Sequence, residues 1–67
     1  MFSSAQIVAV LERSGFVFVS QKGSHMKYRK TASVKILTVI VPANKKEIPH
    51  GTFRSILRQS QLNIKDF

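Results

Sequence analysis

Residues Phe16–Lys30 read FVFVSQKGSHMKYRK, and the fold turns on how this stretch is divided. Phe16–Ser20 is β-branched and aromatic almost throughout, the composition of a strand. Gln21–Ser24 is polar and contains a glycine, as a hairpin loop would. His25–Lys30 then alternates. As a strand it puts Met26 and Tyr28 on one face and His25, Lys27 and Arg29 on the other. Two strands joined by so short a polar connection pair antiparallel.

Working outward, Thr31–Ser33 reads as a second turn and Val34–Val41 (VKILTVIV) as a third, strongly apolar strand. Upstream, Ser3 followed by Gln6 makes a capping-box pattern, and Phe2 and Ile7 fit a hydrophobic staple across it. Ile7, Val10 and Leu11 recur at helical spacing, flanked by Val8 and Ser14, and Gly15 supplies the stop. Downstream, Pro42–Pro49 is a proline-fenced loop. A second helix starts at His50 or Gly51, with Phe53, Ile56 and Leu57 as its buried stripe and Arg54 and Arg58 on its exposed side. Asn63 caps a closing turn from which Ile64 and Phe67 pack back. The expected fold class is α+β. Its order is α-β-β-β-α, a three-stranded antiparallel sheet with two helices on one face, as a single domain over residues 1–67.

A chain of 67 residues buries roughly 60% of the surface its unfolded form exposes, so its core is thin. Cysteine is absent, which excludes disulfides and thiolate-held zinc. Two distant histidines and three acidic residues are a poor donor set, so neither a metal nor a small-molecule cofactor is expected. Eleven Lys and Arg against three acids leave a formal charge of +8. That excess favours a polyanionic or acidic partner, nucleic acid first. No apolar run approaches the ~20 residues of a spanning helix. Ser3, Ser4, Gln6 and Glu12 interrupt anything like a secretory leader. The expectation is a cytoplasmic protein with no membrane partner.

If helices cover the Met26–Tyr28 side, His25 lies on the bare side with Lys27 and Arg29, and Lys22 and Ser24 are close in the preceding loop. For RNA this set makes chemical sense. Attack by an internal 2′-hydroxyl needs a base, an acid for the leaving 5′-oxygen and donors for the crowded phosphate. An imidazole serves either proton transfer near neutral pH, and Lys and Arg hold the phosphate. The same residues also read as a solvated or phosphate-contacting stripe with no catalysis. His50, at a proline–glycine helix entrance, reads as a capping or surface residue. Ser24 and His25 are adjacent in sequence and poorly placed as a nucleophile–base pair. Tyr28 could stack a base, but its parity with Met26 favours the core. Lys45 and Lys46 read equally as loop solubilisers or as a basic clamp on RNA.

Taken together, the helix ending LERSGF, then GSHMKYRK, then VIVPANKKEIPHGTFRSILRQSQL and the closing IKDF resemble the HicA family of toxins over nearly the whole chain. The matching positions are Gly23-Ser24-His25, Val41-Pro42, Gly51-Thr52, Ile56-Leu57, Arg58-Gln59 and Phe67. The resemblance implies a fold like the double-stranded RNA-binding domain and an mRNA interferase of a type II toxin–antitoxin pair. It further implies His25 as the catalytic residue and a HicB-type antitoxin covering the His25 face. Within that reading Lys22, Ser24, Lys27, Arg29, Lys45 and Lys46 are the candidate RNA-binding residues, and cleavage is expected without a metal. The RNA is expected as a single-stranded segment of mRNA on the His25 face, rather than as a duplex read by helices. Many relatives carry a second histidine just after the Val-Pro pair, where this chain has Ala43 and Asn44, so a mechanism needing two imidazoles lacks one here. The rival expectations are a non-catalytic RNA-binding module of the double-stranded RNA-binding-domain type, and a protein-interaction domain for an acidic partner.

Overall fold

The computed structural model describes all residues, 1–67. Helix α1 spans Ser4–Arg13 and begins with the capping box expected of its sequence. Ser3 Oγ accepts from the Gln6 N–H at 3.1 Å, while Gln6 Oε1 accepts from the Ser3 N–H at 2.8 Å. It ends in a Schellman motif. Gly15 takes φ +96°, the Gly15 N–H reaches the Glu12 carbonyl at 3.1 Å, and the Phe16 N–H reaches that of Leu11 at 2.9 Å. Leu11 and Phe16, joined across this stop, are both buried, so the chain leaves the helix already pointed into the core.

Strands β1 (Val17–Lys22), β2 (His25–Ala32) and β3 (Lys35–Pro42) form an antiparallel sheet in the order β1-β2-β3. Pairing runs further along the chain than the sequence suggests. The first loop is not Gln21–Ser24, because Gln21 and Lys22 pair with Met26 and His25 and leave only Gly23 and Ser24 in the turn. The second turn is Ser33–Val34, with Thr31 and Ala32 paired to Ile36 and Lys35. Phe16 precedes β1 instead of opening it. Phe16 stays out of the ladder because its N–H closes the α1 stop on Leu11, and the two turns share a reason of their own. A polar residue keeps its strand conformation wherever a partner strand still offers backbone hydrogen bonds, and Gly23, at φ +58°, makes a two-residue turn feasible.

Helix α2 spans His50–Ser60 and stops at Gln61, which takes the left-handed conformation. A single 3-10 turn, Ile64–Asp66, is capped by Asn63 as anticipated. Both helices lie on one face of the sheet. Ile7 and Leu11 of α1 and Phe53 and Ile56 of α2 join Phe16, Tyr28, Val39, Val41 and Ile48 in one core. Phe67 does pack back, against Phe2 (5.9 Å between ring centres) and Phe53 (5.2 Å), and Phe2 stacks on Phe53 at 5.3 Å. Ile64 does not; it is 64% exposed. Phe67 packs against the side of the stacked Phe2–Phe53 pair and leaves Ile64 at the rim.

The two sheet edges differ. On β3, the outward N–H of Ile40 donates to Gln59 Oε1 of α2 at 3.0 Å, and Pro42 ends the strand where it has no N–H to leave unpaired. On β1 every residue is exposed. No helix is long and apolar enough to cross a membrane.

Candidate functional site

Residues directly opposite in an antiparallel ladder point to the same side of the sheet. Met26 lies opposite Val41 and Tyr28 opposite Val39, and these four face the helices. The intervening residues of β2 therefore face away, and each brings its partners with it. His25 lies between Lys22 and Pro42, Lys27 between Ser20 and Ile40, and Arg29 between Val17 and Thr38. His25, Lys22 and Arg29 are exposed, and Lys27 is half-buried. Ile36, opposite Thr31, extends the same face, and it and Val17 are each 62% exposed. The helix-free face is thus a mixed surface: one imidazole, three permanent cations and a band of aliphatic side chains.

Lys22 reaches this face through an irregularity. Strict alternation from the inward Phe16 and Phe18 would send Ser20 and Lys22 toward the helices. The register instead shifts between Phe18 and Ser20, so that Phe18 pairs with Tyr28 but Ser20 pairs with Lys27. Val19 is the extra residue of this β-bulge. Downstream of it parity is reversed, Gln21 turns inward beside Met26, and Lys22 comes to stand opposite His25. Sequence reasoning placed Lys22 near His25 for a different reason, as a loop neighbour. The two-residue turn sets the pair, and the bulge that reconciles it with the inward Phe18 carries no sequence signal.

The Gly23–Ser24 turn closes one end of the site. A Cβ on Gly23 would meet nothing within 4 Å, so it is the positive φ, not space, that calls for glycine. The Ser24 carbonyl accepts from the Ala43 N–H at 2.7 Å, fastening the turn to the end of β3. Beyond it, the Ala43–Pro49 loop is held by Ser4. Ser4 is buried; its Oγ donates to the Pro42 carbonyl and accepts from the Lys45 N–H at 2.9 Å, while its own N–H donates to the Lys45 carbonyl at 2.9 Å. The Ile48 N–H donates to the Phe2 carbonyl at 2.7 Å. This loop is pinned to the start of α1.

The candidate residues consequently fall into two groups. Lys22, His25, Lys27 and Arg29 share the helix-free face, with Ser24 in the turn beside them. Lys45 and Lys46 instead line a groove of about 550 Å³ on the helix side at the same end of the sheet, together with Gln21, Met26, Tyr28 and Asn44. Asn44 takes φ +58°, a conformation asparagine tolerates, and faces this groove. Tyr28 is only 5% exposed and sits edge-on to Phe18 at 5.7 Å, a core position that leaves no ring face for a base. Burial raises its hydroxyl pKa above the ordinary value, and the Glu12 carboxylate adds to the shift. His50 is an exposed residue at the start of α2 that caps nothing through its side chain, the N-cap being Pro49. No three His, Asp or Glu side chains gather anywhere as a metal-binding group.

Residues 4–62, from the first residue of α1 to just beyond α2, match the family described as the HicA toxin of bacterial toxin–antitoxin systems. The chain belongs to the HicA toxin family. The matched span takes in the whole sheet, both helices and the His25 face. HicA membership makes the chain the toxin component of a bacterial toxin–antitoxin pair and implies an antitoxin as its partner. No curated protein matches the chain closely enough to add to the HicA assignment.

Proposed function

We propose that this HicA-family toxin is an mRNA interferase, an endoribonuclease whose catalytic residue is His25. One observation carries the reading: the only imidazole on the helix-free face lies directly opposite Lys22 and two residues along the same strand face from Lys27. In the reaction, the ribose 2′-oxygen attacks the adjacent phosphorus and the bond to the 5′-oxygen breaks. Neutral His25 takes the 2′-hydroxyl proton, and the resulting imidazolium is the proton source for the departing 5′-oxygen. One imidazole acting at both ends in turn suits a chain with Ala43 and Asn44 in place of a second histidine. The products are a 2′,3′-cyclic phosphate and a 5′-hydroxyl.

Lys22 and Lys27 supply ammonium donors for the non-bridging oxygens as charge builds on phosphorus, and Arg29 holds the next phosphate along the strand. Ser24, in the turn, offers a hydroxyl to the same phosphate. Ile40 lies beside Lys27, and the exposed Val17 and Ile36 extend the apolar part of the face toward Arg29 and Thr31. No step calls on a metal ion.

The antitoxin partner is, on this reading, a HicB-type protein that covers the His25 face. An acidic, partly apolar surface would neutralise Lys22, Lys27 and Arg29 and bury the aliphatic band, and an apolar patch of this kind favours being covered. The test of the enzymatic reading is cleavage of a single-stranded RNA in EDTA. Cleavage is expected to persist in the chelator and to disappear when the ribose at the scissile position is 2′-deoxy. Binding of the RNA without cleavage of it would favour the non-catalytic RNA-binding module instead.

A further inference from the structure

The groove on the helix side has no part in the chemistry at His25, yet it opens at the same end of the sheet. Three chain neighbours of the catalytic row reach into it. Gln21 precedes Lys22, Met26 follows His25 and Ala43 follows Pro42, and all three line the groove. The Ala43–Ser24 hydrogen bond ties its wall to the turn beside His25. A polynucleotide lying on the His25 face therefore meets the groove where it passes the end of the sheet.

The lining suits one nucleotide. A volume of about 550 Å³ lies within the range of small-ligand sites. Met26 and Ala43 give an apolar floor, Lys45 and Lys46 bring two exposed cations, and Gln21 and Asn44 contribute amides of the kind that read base edges. Gln21 is already oriented. Its Nε2 donates one of its two hydrogens to the Gly23 carbonyl at 3.0 Å, which fixes the amide and leaves Oε1 wholly free, with one N–H to spare. The free Oε1 accepts from bases with an exocyclic amino group.

We infer that this groove is a subsite for a nucleotide flanking the scissile phosphate. The base lies over Met26 and is read by Gln21, and its phosphate rests on Lys45 and Lys46. The inference rests on the RNA reading above and assigns Lys45 and Lys46 a place distinct from that of Lys22, Lys27 and Arg29.

The test is a nuclear magnetic resonance titration of the whole chain with AMP, CMP, UMP and ribose 5-phosphate, which needs no cleavage. AMP and CMP are expected to shift the Gln21 side-chain amide, the Met26 methyl and the Ala43 amide, binding about three- to tenfold more tightly than UMP. Ribose 5-phosphate should move only the Lys45 and Lys46 signals, and Gln21→Met should erase the preference over UMP. Shifts confined to His25, Lys27 and Arg29 would overturn the subsite. So would groove signals that respond to the antitoxin but to none of the nucleotides, since the occupant is then a protein side chain. Failure of the ribonuclease reading shows separately, as an absence of His25-dependent cleavage whatever the nucleotides do.

Discussion

Lys22 lies directly opposite His25 across a turn of only two residues, and the bulge at Val19 lets this pair face away from the helices while Phe18 upstream faces them. Each of the two then points at whatever occupies the helix-free face. Replacing Lys22 by alanine should lower the cleavage rate by roughly 10- to 100-fold, the worth of one charge-assisted hydrogen bond. The salt dependence of RNA binding should fall with it, its logarithmic slope shrinking by about 0.7 for the lost phosphate contact. Lys22→Arg should retain most of the activity. Unchanged rate and slope in Lys22→Ala would mean that the cross-strand pair has no role in RNA handling.

Ser4 joins α1 to the loop after β3 and predicts a stability effect at a position remote from His25. Ser4→Ala leaves the Pro42 carbonyl and the Lys45 N–H without their partner in a partly buried setting. The expected cost is about 1–3 kcal/mol. For a domain of this length, whose total stability is about 3–10 kcal/mol, that is a large share. Urea denaturation should show the loss, and hydrogen exchange at the Lys45 amide should accelerate. An unchanged urea midpoint would contradict this account of the loop.

Tyr28 provides a pH signature, and as the single tyrosine of a chain without tryptophan it can be followed by absorbance. Its folded-state pKa is raised, by burial first and by Glu12 second, so the folded form keeps the proton after the unfolded form has released it. This contribution to stability is complete below the unfolded tyrosine value of about 10 and is lost as pH rises toward the folded one. Tyrosinate absorbance should therefore appear only above about pH 10, with stability declining over the same range. Glu12→Gln should move the absorbance midpoint down. A midpoint at the ordinary value would place the phenol in water instead of in the core.

Much of this architecture is legible in local chemistry. The Ser3–Gln6 capping box, the Gly15 stop and the Asn63 cap are short-range hydrogen-bond patterns, and such patterns survive into the fold because tertiary packing has little reason to displace them. The alternation of His25–Lys30 likewise survives, since period two follows from strand geometry. Loop ends are harder to read. Gln21, Lys22 and Ala32 have no strong strand preference of their own and join strands because a partner strand is there to pair with. The Val19 bulge is a matter of twist and register between two strands, and a residue-by-residue reading has no access to it. The groove beside Gln21 is similarly illegible, being assembled from α1, β1, β2 and the loop after β3.

The central claim is that His25 is the catalytic group, and removing its imidazole tests that most directly. His25→Ala should keep the folded spectrum and the RNA affinity of the parent chain while cleavage of a single-stranded RNA falls by at least about 100-fold. Cleavage continuing at the parent rate in a folded, RNA-binding His25→Ala protein would contradict the account.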